Sequence, residues 1–145
     1  MEGRFVNREL DYAYGCRDDR IIAKPHVKLE SANWHRDGKW HTEWRCSVSW
    51  FKSRGFLEGG EGGFYWLEGG FLLPYSQAYS LCFWWAKQLG IPFVKAHGNR
   101  EILVWVRIGR RTNQQVAFLD DLLKCRNQRE VDKLKNRIEQ EGRSL

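Results

Sequence analysis

The sequence predicts an α+β fold: a four-stranded, mostly antiparallel sheet with helices packed on one face. Three stretches carry that reading. His41–Arg54 (HTEWRCSVSWFKSR) alternates, with Trp44, Cys46, Val48 and Trp50 on one side and Arg45, Ser47 and Ser49 on the other, the signature of a half-buried strand. The stretch YSQAYSLCFWWAKQL lies between Pro74 and Gly90, residues suited to open and to close a helix. Glu101–Gly109 (EILVWVRIG) again alternates before the sequence turns helical. At 145 residues the chain suits one domain with a single core.

The remaining elements follow in order. Residues 1–33 show no clean period and read as an N-terminal arm or short helix, punctuated by Pro25. Gly55–Gly63 (GFLEGGEGG) is a turn-rich connection, and Phe64–Leu73 a second strand with a bulge or close approach at Gly69-Gly70. After the helix, Ile91–His97 is a third strand and Gly98-Asn99 a turn into the fourth. In that fourth strand Ile102, Val104, Val106 and Ile108 oppose Leu103, Trp105 and Arg107. Thr112 then caps a long C-terminal helix over residues 112–141. Its stripe runs from Val116, Leu119, Leu122 and Leu123 to Val131, Leu134 and Ile138. The second half of that stripe fits either a partner helix or a charged tail beyond the core.

Composition narrows the function classes. Lys and Arg number 24 against 18 Asp and Glu, a formal charge of +6, which favours a polyanionic partner. Eight Trp exceed what one small core needs, leaving one or two for surface stacking. The four Cys are far apart, and Met1–Leu10 is charged, so reduced thiols and no secretory leader are expected. Phe71–Val94 is interrupted by Gln77, Lys87 and Gln88, so no membrane span is expected. No catalytic constellation stands out. The GGEGG run lacks the Lys-Ser/Thr of a phosphate loop. His35, His41 and Cys46 match no standard metal spacing. The expectation is a protein that is not an enzyme and has neither metal nor cofactor.

Nucleic-acid chemistry fits better. Arg and Ser on an open strand face would meet phosphates and ribose hydroxyls of an A-form duplex without reading sequence. Arg110-Arg111 at a helix start joins side-chain charge to free backbone N–H groups; a solvated turn is the plainer alternative. Trp34 and Trp40 sit in the polar segment NWHRDGKWH and suit either base stacking or packing on a sheet edge.

From Trp34 to Arg126 the chain resembles the tombusvirus nineteen-kilodalton suppressors of RNA silencing and their shorter aureusvirus relatives. The stretches YSQAYSLCFWW, QLG and VWVRIGRRTNQQ, in that order, carry the resemblance. It implies a viral protein in the host cytoplasm or nucleus that sequesters small interfering RNA duplexes and performs no catalysis. It also implies a homodimer whose two sheets join into one concave eight-stranded surface, with the fourth strand and last helix forming the contact. Backbone contacts would fall on Arg45, Ser47, Ser49, Lys52, Arg54, Lys95, His97, Arg107, Arg110 and Arg111, and end-stacking on Trp34 and Trp40. The competing expectation is a protein-interaction module that docks a partner on its final helix, with incidental charge.

Overall fold

The computed structural model describes the backbone of residues 3–10, 25–52, 61–67, 72–97 and 100–143, and the side chains of 25–48, 66–67, 72–96 and 102–141. Its strands are β1 (Gly3–Leu10), β2 (His26–Arg36), β3 (Lys39–Lys52), β4 (Glu61–Trp66), β5 (Phe93–His97) and β6 (Arg100–Arg107). Its helices are α1 (Tyr75–Leu89), α2 (Asn113–Lys124) and α3 (Gln128–Arg143). The architecture is α+β, as expected. The sheet, however, has six strands in the order β1-β6-β5-β2-β3-β4. It is mixed, because β2 runs parallel to β5 while every other neighbouring pair is antiparallel.

The two unexpected strands are β1, within the segment 1–33 read as an arm or helix, and β2, which begins in it and runs on to Arg36. β2 and β3 pair over eleven residues, from His26↔Ser49 to Arg36↔Lys39. They are joined by Asp37-Gly38, whose φ angles of 53° and 75° are those of the tight turn whose twist matches a hairpin. β1 pairs with β6, so the sheet edge that the resemblance assigns to the dimer contact is occupied by the chain's own first strand.

The helices cover one face. Val27 and Leu29 of β2, Cys46 and Val48 of β3, Phe93 of β5 and Trp105 of β6 form a buried cluster with Ala78, Cys82 and Trp85 of α1, Leu122 of α2 and Val131 and Ile138 of α3. Fully burying an aliphatic side chain of this kind contributes about 1.5–3 kcal/mol. α1 starts after Pro74 and ends at Gly90, whose φ of 65° places it in the left-handed region that closes helices. Leu73 bridges to Trp44 of β3 just before α1, which fixes the helix start over the sheet.

The expected long C-terminal helix is two helices. Cys125 adopts extended angles (φ −60°, ψ 141°) after α2. The side chain of Asn127 then accepts the amide of Glu130 at 3.0 Å, and the carboxylate of Glu130 accepts the amide of Arg126. A capping arrangement of this kind starts a new helix. The break lets α3 fold back, so Val131, Leu134 and Ile138 are buried in the chain's own core. The final-helix stripe is therefore not an open docking face.

Candidate nucleic-acid interface

Strand pairing sorts the expected contact residues onto different sides of the sheet. Val27 pairs with Val48 and with Phe93, and Phe93 pairs with Trp105, so these mark the helix-covered side. Arg45 and Ser47 alternate to the far side, as expected. There the Arg45 guanidinium lies 4.7 Å from the Trp66 ring centre, close enough for cation–π attraction. Ser47 is fully buried and its hydroxyl has no partner. It cannot present a hydroxyl to a ribose, contrary to expectation, because Trp66 pairs directly opposite on β4 and Lys28 on β2.

Lys95 is a second correction. Pairing with Leu29 puts it on the helix side, where its ammonium donates to the Tyr75 hydroxyl at 3.1 Å and lies 5.5 Å from the Trp44 ring centre. Arg107 is a third. The β5–β6 register slips between Phe93 and Val94, taking Trp105 and then Leu103 as partners. This irregularity puts Leu103 and Trp105 on opposite sides, although plain alternation groups them. Arg107, two residues after Trp105, therefore turns toward the helices and not toward Arg45. Ser49, Lys52 and His97 lie in strands, but their side chains are outside the described residues, as is the whole of Arg54.

What the fold does bring together is Arg107, Arg110 and Arg111. They line an open notch of about 540 Å³ with Gly90, Pro92, Val106, Gly109 and Val116. Its geometry follows from the helix ends. Gly90 lacks a Cβ, and one placed there would come within 3.0 Å of the Gln115 side chain and 3.1 Å of Arg107 Cδ. Gln115 donates to the Lys87 carbonyl at 3.0 Å and Arg111 Nε donates to the Gly90 carbonyl at 2.9 Å, so both side chains cap the end of α1. Thr112 and Gln115 form a reciprocal capping box, which satisfies two of the N–H groups expected to meet a phosphate.

Arg107 donates through Nη1 to the Gly109 carbonyl at 2.9 Å, while its Nε and Nη2 are shielded from solvent with no partner among the described residues. Desolvation, and secondly the charge of Arg111, push the Arg107 guanidinium below its ordinary pKa; it remains charged at neutral pH. An anion in the notch would offset the repulsion between the two guanidinium groups. Arg110 is exposed beside it.

The two tryptophans expected to stack on a duplex end lie on opposite faces of the β2–β3 hairpin. Trp34 pairs with His41, and their rings stack at 4.5 Å with 20° between planes, on the Arg45 side. Trp40 pairs with His35 on the helix side, is 75% exposed, and meets His35 edge-on at 5.2 Å. They cannot form one platform.

Among the described residues no cluster of three or more His, Cys, Asp and Glu is placed to hold a metal ion. No described helix is long and apolar enough to cross a membrane. No family model, curated protein or solved structure matches the chain. The geometry above therefore stands as the basis for a functional reading, together with the resemblance in the sequence.

Proposed function

We propose that this chain binds double-stranded RNA without regard to sequence and sequesters small interfering RNA duplexes, as a viral suppressor of RNA silencing acting in the host cytoplasm or nucleus. One observation carries the reading. Arg107, Arg110 and Arg111 converge on an open notch, and two N–H-bearing atoms of Arg107 lack an acceptor. A phosphate oxygen would supply the missing acceptor. Guanidinium–phosphate contacts position a duplex but carry no sequence information. The resemblance selects RNA among the polyanions that such a notch would accept.

The proposed interface is not the single open sheet face that alternation alone implies. It consists of the arginine notch, with Arg45 on Trp66 as a second patch on the far side. A homodimer remains part of the proposal. Because β1 already pairs along β6, joining two sheets at that edge requires β1 to leave, and size-exclusion chromatography with light scattering reads the assembly state.

The test is a titration with blunt duplex RNA at several salt concentrations. Binding should weaken steeply with salt, each phosphate contact contributing roughly 0.9 to the logarithmic slope. Duplex DNA of the same sequence should bind more weakly. Equal affinity for both duplexes, or a flat salt response, overturns the reading.

A further inference from the structure

From Ser31 to Glu43, β2 and β3 pair only with each other among the described residues. β5 reaches β2 at Val27–Glu30, β4 reaches β3 from Ser47 on, and Leu73 bridges to Trp44. Among the described residues the hairpin thus projects past the sheet as a two-stranded ribbon. A two-stranded ribbon gains little from its own pairing, so an indole left 75% exposed at its tip is not explained by the core.

Trp40 and His35 stand nearly perpendicular, at 70°, and form a corner rather than a sandwich. The indole is 75% exposed there, while Arg36 and Lys39, the next pair along the hairpin, alternate to its opposite face. On the same side, four residues along β3 and roughly 13 Å away at about 3.3 Å per residue, Trp44 meets Tyr75 edge-on at 4.8 Å. Lys95 lies over both rings, 5.5 Å from Trp44 and 4.7 Å from Tyr75. The side of the ribbon facing the helices is therefore a strip with Trp40 at its tip, the hydrogen-bonded Asn33–Thr42 pair in the middle, and Trp44 and Tyr75 under the Lys95 cation at its base.

Such a strip suits single strands. Aromatic rings stack on any base, and cations follow the backbone. A paired end needs a platform as wide as two bases, and Trp34 and Trp40 cannot supply one from opposite faces. We infer that this strip seats unpaired nucleotides, the single-stranded overhang of an RNA duplex, with one base stacked on Trp40 and the chain running toward Lys95. The inference rests on the RNA reading above and deepens it. The strip is also remote from the arginine notch. Trp40 sits level with His35, eight residues past Val27, and Arg107 lies two residues past Trp105 in the opposite direction. Ten residues span on the order of 30 Å, so notch and strip would hold separate parts of one ligand.

The experiment compares two RNA duplexes identical except that one carries a two-nucleotide 3′ overhang. The intact protein should bind the overhanging duplex roughly five- to tenfold more tightly, the range expected for one stacked base. Trp40→Ala should make the two affinities equal, Trp40→Phe should restore part of the difference, and Lys95→Glu should reduce it. A single-stranded RNA carrying 4-thiouridine should crosslink to the ribbon at Trp40, read by mass spectrometry. Equal wild-type affinities, or a preference that survives Trp40→Ala, overturn the inference while leaving duplex binding intact. If neither duplex binds, the RNA-duplex reading falls and the crosslink alone decides the strip; absence of a crosslink there overturns it.

Discussion

The two ends of the sheet solve opposite problems. At the β6 end, Gln115 and Arg111 donate to helix-end carbonyls around Gly90, and Gln115 and Arg107 pack so close that an added Cβ would force a neighbour to shift. At the hairpin end, Gly38 has a similar φ of 75° but nothing within 4 Å of where its Cβ would lie. One end is rigid and concentrates charge in a concavity. The other is a thin ribbon that presents rings to solvent. Close packing thus sits where three arginines lie together, and exposure at the ribbon's indole.

The sharpest way to break the comparison is charge reversal at the rigid end. Arg107→Glu with Arg110→Glu should lower duplex-RNA affinity by roughly a hundredfold or more, since two phosphate contacts become repulsions. Far-ultraviolet circular dichroism should show the fold retained, because Arg110 is exposed and the Arg107 side chain donates to the Gly109 carbonyl in a loop. An affinity unchanged within a factor of two would remove the notch from the interface.

The glycines sharpen it next. Gly90→Ala forces a left-handed residue, which costs about 1–2 kcal/mol for strain, and it also pushes on Gln115 and Arg107. Thermal unfolding should show a loss of about 2 kcal/mol or more, accompanied by weaker RNA binding. Gly38→Ala incurs the strain without the clash, at about 1 kcal/mol. Because the ribbon lies beyond the core, that loss should be local. Ribbon amides should exchange roughly fivefold faster while the global melting temperature moves little. Equal global destabilisation by both substitutions would mean the ribbon is part of the cooperative core.

Much of this architecture is legible in the residues. The alternation around Cys46 and Val48, the helix from Pro74 to Gly90 and the Thr112 cap all emerge, because each rests on a local rule strong enough to survive tertiary context. What was missed has identifiable causes. The turn signal Asp37-Gly38 lay in plain view, but β2 alternates less cleanly, with Ser31 and Ala32 where a strand usually shows larger apolar residues. The slip that turns Arg107 toward the helices breaks strict alternation inside β6, and nothing in EILVWVRIG marks it. Ser47 was misplaced because alternation reports the side of a strand, not how closely Trp66 approaches it. The notch arginines are visible one by one in the sequence, whereas their convergence around Gly90 depends on how α1 and α2 meet.

The break between α2 and α3 offers the smallest effect and the cleanest sign. Asn127, three residues before Glu130, is a helix-start signature that the continuous apolar stripe outweighed. If Asn127 is what ends one helix and starts the next, Asn127→Ala should cost about 1 kcal/mol, the usual value of a lost N-cap. Asn127→Asp should cost less, since a carboxylate caps as well and favours the positive helix start. If the break were set only by packing of Val131, Leu134 and Ile138 against the core, the two substitutions would be equivalent. A denaturant titration of both variants separates these causes. It also tests whether the fold-back that uses up the apolar stripe, and so closes the final helix to partner proteins, is written in the cap or in the core.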